Sequence, residues 1–313
     1  YRRGGVIRSC FEKCLPAMYE EGYAFSYLYP FSSAFYRKFG YEMCGEQVQY
    51  EVNLQAYHRF DVGGHTVLAE GDCCFEDIKR VHKAFARGMN VMCVREDDDY
   101  PWAKGLNPAK DCVYTFVYYS AAGEAKGVMT FSKEQTDGFY AKLNCKQFFF
   151  SDVEGLKGLL NHALAYTAYY SHICFRLPIH MDLLSIVPEW PKFPYQRTLA
   201  HVGMGRVIDV KQVLGLAKYR GQGTVRIGIT DPQIPQNNGC FTVSFAEGKA
   251  LSVTEEDASP DISMGIADFS RLIIGTHDLS QLDWLTGVTV HTPENPALSG
   301  VFYKKPIFIT DGF

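Results

Sequence analysis

Apolar residues in this chain of 313 recur with two alternating periods, and that alternation limits the fold more than any other feature. Neighbours three or four apart share one side of a helix, whereas alternate residues share one face of a strand. Val6, Ile7, Cys10, Phe11, Cys14 and Met18 keep the helical spacing, and Gly22 closes the stretch. Pro16 lies inside it, which predicts a kink or a shortened last turn. Residues 23–31 read as a strand, Ser32 or Ser33 caps a short helix ending at Gly40, and 41–52 read as a strand broken at Gly45. Phe75, Ile78, Val81, Phe85 and Met89 predict a helix, 111–120 and 126–134 a hairpin, and 143–151 a buried strand. Asp152 caps a helix with Val153, Leu156, Leu159, Leu160, Ala163 and Leu164 inside, and 173–179 is the next strand.

Beyond Val207, residues 224–231, 240–248 and 250–256 alternate as strands, with turns at Asn237-Asn238-Gly239 and Gly248-Lys249. Ile266, Phe269, Leu272 and Ile273 predict a helix stopped by Gly275, and Ile307-Phe308-Ile309 a last strand. The class is α/β (α+β), in three units spanning 1–56, 57–206 and 207–313.

Net charge is −4, which supplies no global basic field for nucleic acid, and no apolar run is long enough to span a bilayer. The ten cysteines form no CxxC pair and no cluster with zinc spacing. They read as buried free thiols in a reducing, cytoplasmic compartment, and no metal is expected. Glu96, Asp97, Asp98 and Asp99 read as a solvated loop or as an attractor of polycations.

The first residues have their own chemistry. A diphosphate needs backbone N–H groups converging at a helix N-terminus, with cations nearby. Gly4 and Gly5 let the main chain approach closely, and Arg2, Arg3 and Arg8 supply charge. The same residues also suit a solvated helix start.

The spacing Arg2-x-x-Gly5-x-Ile7 resembles the (Q/R)-x-x-G-x-(G/A) loop of the GNAT acetyltransferases, with Ile7 in place of the last small residue. Ser32-x-x-Phe35-Tyr36-Arg37-x-Phe39-Gly40-Tyr41 resembles one branch, the Eis-like (enhanced intracellular survival) N-acetyltransferases. The resemblance implies a partial catalytic GNAT domain, a second degenerate GNAT-like domain and a C-terminal sterol-carrier-protein-like domain. It also implies that strands preceding the loop are missing, so that the chain is an N-terminally truncated piece with impaired or absent activity.

Acetyl-CoA is the implied co-substrate. An aminoglycoside, polyamine or lysine amine is the implied acceptor, and assembly into a homo-oligomer is expected. Tyr36 matches the general acid toward the departing thiolate, and the Phe313 α-carboxylate matches the general base. Cofactor contacts carry over to Arg2, Arg3, Gly4, Gly5, Val6, Ile7 and Arg8, with the backbone of Phe31 and Ser32 as further candidates. Gly312 stands where the family tends to have an acidic residue, with Asp311 one step earlier. In the second unit the corresponding loop reads SDVEGLKGLL, where Asp152 and Glu154 would repel a diphosphate. Two readings without catalysis stand beside this one: lipid binding through 207–313, or an inactive scaffold.

Overall fold

The computed structural model describes residues 5–55, 57–132, 141–186 and 196–311. It divides into two compact units, one of residues 1–45 with 201–313 and one of residues 46–200. In the first unit the chain begins with α1 (Val6–Glu20), β1 (Phe25–Leu28), α2 (Ser33–Tyr36) and β2 (Glu42–Met43). The second unit holds β3 (Glu46–Asn53), β4 (His65–Leu68), α3 (Phe75–Ala86), α4 (Pro108–Asp111), β5 (Val113–Tyr119), β6 (Ala125–Ser132), β7 (Ala141–Phe150), α5 (Val153–Ala163), β8 (Tyr170–Pro178) and β9 (Gln196–His201). The chain then returns to the first unit with β10 (Met204–Val207), α6 (Val210–Leu216), β11 (Gly223–Thr230), β12 (Gly239–Ala246), β13 (Lys249–Glu255), β14 (Ile262–Gly265), α7 (Ile266–Ile274), β15 (Val288–Val290) and α8 (Leu298–Val301).

In the first unit, β10 lies between β1 and β2, antiparallel to both. Leu15, Phe39, Tyr41, Met204, Ile208 and Ile234 form a buried cluster that joins α1 to residues from the other end of the chain. Pro16 does not end α1: the helix runs on to Glu20, and the Glu21 N–H reaches the Ala17 carbonyl at 2.9 Å. The expected apolar face is only partly buried. Leu15 is fully covered, whereas Val6 and Ile7 are 66% and 50% exposed. Cys10, Cys14, Cys73 and Cys112 are also exposed, so the thiols are not uniformly buried. α2 continues as a 3-10 turn, Arg37–Phe39, and Gly40 ends it at φ 80°, where a side chain would be strained. A Cβ there would also come within 2.7 Å of the Ile266 side chain.

A second sheet of this unit runs β13-β12-β11-β14-β15, antiparallel except for the parallel pair β11 and β14. α7 buries Ile266, Phe269, Leu272 and Ile273, and Gly275 at φ 94° closes it. Lys305 reaches into its last turn and donates to the Ile273 carbonyl at 2.5 Å. Residues 307–309 are not a strand. Ile307 makes a single bridge, and the segment is extended and buried, held by apolar packing rather than by a ladder.

Arg206, on β10, is fully buried. Its Nη2 donates to both oxygens of Asp231 at 2.7 and 2.9 Å, its Nε to the Phe39 carbonyl at 2.7 Å, and its Nη1 to the Val207 carbonyl at 2.8 Å. Asn237 also donates to Asp231, at 2.9 Å, and accepts from the Val210 N–H at 3.0 Å.

The second unit is built on one sheet with strand order β4-β5-β6-β7-β8-β3-β9. The pairs β4–β5, β5–β6, β6–β7 and β8–β3 are antiparallel, whereas β7 and β8 are parallel and α5 joins them as a crossover. Successive residues of β5 show that the two main helices lie on opposite faces. Tyr119 donates to Asp77 of α3 at 2.5 Å, whereas a Cβ at Gly158 of α5 would meet the Tyr118 ring at 2.4 Å. Gly155 approaches equally closely: its Cβ would lie 2.0 Å from the Lys126 carbonyl.

His162, on α5, packs against Phe116 with ring centroids 4.1 Å apart and tilted by 47°, and is held by Thr66 Oγ1 at 2.8 Å and the Tyr166 hydroxyl at 3.3 Å. Burial pushes its imidazole down to about 4. Stability gained by keeping it neutral is therefore present above its unfolded value of 6.5 and is lost as pH falls from there towards 4. Denaturant titrations across that window should show a loss of roughly 3 kcal/mol from this residue, reduced in His162→Gln. At neutral pH, Arg206→Met leaves Asp231 buried without its cation and should cost about 3–5 kcal/mol in the same measurement.

Candidate active site

The N-terminus of α1 is open to an anion. Gly5 occupies the N-cap position at φ 74°, with nothing within 4 Å of where a Cβ would stand. Among the described residues no side chain caps the helix, and its first turn contains no acidic residue. The first backbone bond described is from the Ser9 N–H to the Gly5 carbonyl at 3.0 Å. The N–H groups of Val6, Ile7 and Arg8 find no acceptor among the described residues, as expected for the first turn of any helix. All three residues are exposed. Arg2, Arg3 and Gly4 lie outside the described residues.

α5 starts in the opposite way. The Asp152 side chain accepts the Gly155 N–H at 2.9 Å, and Glu154 stands in the first turn. Lys126 binds both carboxylates, at 3.0 Å to Asp152 and 2.6 Å to Glu154. These hydrogen bonds raise the ammonium above its ordinary value. The positive end of this helix is already occupied by the protein's own carboxylates. Lys126 is distant in sequence, and nothing in the loop itself announced it.

Tyr36 ends α2 in an aromatic setting. Its ring lies 5.7 Å from Phe11, 5.2 Å from Phe31 and 5.3 Å from Phe35, each edge-on. Phe11 sits six residues past Gly5 in chain order, about 9 Å along a helix, so Tyr36 stands beside the N-terminal half of α1. Its hydroxyl makes no hydrogen bond among the described residues. Phe31 is 71% exposed, and Ser32 is the N-cap residue of α2.

The following turn is anchored by Glu42, which sequence reasoning missed. Arg37 grips it through Nε and Nη2, the shortest contact being 2.8 Å, and Arg271 of α7 binds it at 2.9 Å. Burial alone would raise this carboxyl, but the two guanidiniums and the Met43 N–H outweigh it and hold it below the ordinary value. Arg37 and Glu42 are close in sequence, whereas Arg271 is 229 residues from Glu42.

The last described residues also come to this region. The hydroxyl of Tyr29, two residues before Phe31 in the chain, donates to the Asp311 carbonyl. Phe313 lies outside the described residues. The acidic run at 96–99 is a 3-10 turn capped by Glu96, and Lys79 holds Asp97 at 2.5 Å. Among the described residues, no group of three or more His, Cys, Asp or Glu could hold a metal, and no helix is long and apolar enough to cross a membrane.

Residues 1–44 match the acetyltransferase (GNAT) domain family, and residues 210–308 match the sterol carrier protein domain family. No curated protein matches the chain. A GCN5-related N-acetyltransferase from Anabaena variabilis superposes with a TM-score of 0.86 at 18% identity, covering 100% of this chain and 79% of that one. A conserved protein of unknown function from Enterococcus faecalis gives 0.85 at 22% identity, covering 100% and 78%. Eis1 from Mycobacterium abscessus gives 0.80 at 17% identity, covering 100% and 79%. The chain thus has the GNAT acetyltransferase fold, in a mixed α/β architecture that ends in a sterol carrier protein domain.

Proposed function

We propose that this protein is an Eis-like, acetyl-CoA-dependent N-acetyltransferase of amines. The observation that carries the reading is the difference between the two helix N-termini: α1 is uncapped and free of acidic residues, whereas Asp152 caps α5. Gly5, Val6, Ile7 and Arg8, with Arg2, Arg3 and Gly4 before them, would hold the diphosphate through backbone N–H groups and cationic side chains. The backbone of Phe31 and Ser32 would flank the acyl arm. When bound, acetyl-CoA supplies an activated thioester acyl group.

Transfer to an amine raises two proton problems. The amine must be neutral to attack, and the departing thiolate leaves more readily when protonated. A phenol is a neutral donor at pH 7, so Tyr36 suits the second task. Its edge-on aromatic neighbours hold the ring in place. The base is the α-carboxylate of Phe313, which takes the amine proton through a short path. The Tyr29–Asp311 hydrogen bond supports this, because two further residues span at most about 7 Å. The acceptor is an aminoglycoside, a polyamine or a lysine side chain.

Two assays test the reading. The protein, expressed as its gene encodes it, should release thiol from acetyl-CoA in the presence of at least one of these amine classes. Silence across all three would refute it. Tyr36→Phe should lower kcat by about 10²-fold or more with little change in coenzyme A binding, as expected for loss of a proton donor. Gly5→Asp should weaken coenzyme A binding at least about tenfold in calorimetry, since it strains the positive-φ position and opposes the diphosphate.

The sterol carrier match carries a second reading, lipid binding. A cavity of 570 Å³ in that domain is lined in part by Phe302, Tyr303 and Arg220. A rise of several degrees in Tm when fatty acid is added to delipidated protein would favour it.

A further inference from the structure

We propose that Cys73 and Cys74 form a two-sulfur site for a neutral trivalent arsenical, held as a cyclic dithiolate at the start of α3. The two sulfurs stand 3.4 Å apart. Cys73 is exposed, so a ligand reaches it from solvent, and Cys74 beside it is buried. The turn that carries them is fixed on both sides. Gly71 and Leu106 exchange both backbone hydrogen bonds, at 2.7 and 3.0 Å. Asp72 accepts the Gly105 N–H at 2.7 Å, and the Glu70 N–H donates to the Cys73 sulfur at 3.5 Å. On the inner side the Tyr119 hydroxyl lies 3.8 Å from the Cys74 sulfur. The sulfurs are thus placed before any ligand arrives, which lowers the cost of capture.

Geometry selects the ligand. With bonds of about 2.3 Å, the length of a zinc–sulfur bond, sulfurs 3.4 Å apart subtend roughly 95° at a shared atom. An ion that binds two thiolates in a line would instead separate them by about 4.6 Å. A structural zinc site needs four ligands, and among the described residues no group of three or more His, Cys, Asp or Glu could hold a metal. Trivalent arsenic forms three pyramidal bonds near right angles. The pair supplies two of them, and the organic group of the arsenical keeps the third.

Proton chemistry points the same way. Burial and the neighbouring Cys73 push the Cys74 thiol up to about 11, so it is protonated at neutral pH. A dication would have to displace that proton unaided. An arsenical R–As(OH)2 brings its own hydroxides: two As–S bonds form, two As–O and two S–H bonds break, and the protons leave in two molecules of water. Arsenic stays trivalent and no electrons are exchanged. Glu70, Asp72, Glu76 and Asp77 flank the pair in sequence, and Asp77 shares the Tyr119 hydroxyl at 2.5 Å. This acidic surrounding opposes anionic thiol reagents such as glutathione disulfide, but not a neutral hydroxide.

The test uses phenylarsine oxide on the full chain carrying Cys10→Ser and Cys14→Ser, which removes a second pair of sulfurs 3.6 Å apart on α1. Intact mass should show one arsenical per chain, and thiol titration should show two thiols lost for each arsenical bound. Peptide mapping should place the adduct on the segment that holds Cys73 and Cys74. Excess monothiol should leave it in place, whereas a vicinal dithiol should strip it, because the protein delivers its second sulfur within the chain. Cys73→Ser in the same background should weaken capture at least about 100-fold with an unchanged Tm, since this side chain is exposed. Removal by monothiol, one thiol lost per arsenical, an adduct mapped only to other cysteines, or capture undiminished in Cys73→Ser would each overturn the proposal.

Discussion

Within the first unit, the architecture depends on one buried ion pair. Arg206 and Asp231 have fully buried side chains, in a region where a lone charge would be prohibitively costly. Every donor direction of the guanidinium that carries a bond is used, and each points to a different segment: the end of the 3-10 turn at Phe39, β10 itself, and the loop after β11. Burial pulls the guanidinium below its ordinary value while Asp231 pulls it back up. The pair acts less as net stabilisation than as a registration device. A hydrophobic core of Leu15, Met204 and Ile234 would tolerate small slides, but a bidentate contact does not. Tyr36, three residues before Phe39, inherits that fixed position.

A second constraint separates the starts of two helices. Among the described residues nothing accepts the first N–H groups of α1, whereas α5 satisfies one of its own with Asp152. The macrodipole is the same in both, so the chemistry of each site is decided by the residues around it.

Much of this was legible locally. Gly40 and Gly275 stop their helices in the left-handed conformation, and Asp152 caps α5, because these signals act over a few residues. The break at Gly45 was legible too, but its cause is remote: a Cβ there would lie 1.9 Å from the Val202 carbonyl. Period alone did not fix which residues are covered: the stripe of α1 included exposed Val6 and omitted buried Leu15. The Ile307-Phe308-Ile309 run was apolar because it is buried, not because it is paired. The partners that matter most are remote. β10 inserts between β1 and β2 from nearly the other side of the sequence, and no local pattern foretells Arg271 on Glu42 or Lys126 on Glu154. The aromatic motif around Tyr36 was readable; the Tyr29–Asp311 bond beside it was not.

The close fit of α5 against β6 has a historical corollary. With the Lys126 carbonyl filling the space a Gly155 Cβ would need, the helix cannot be nudged outward by one enlarged side chain without unseating its whole first turn. An anion cradle at this helix start would demand that the aspartate cap, the neighbouring glutamate and the lysine that neutralises them all change together. Few single-residue routes lead there, so the closed state of this helix end is robust to point substitution.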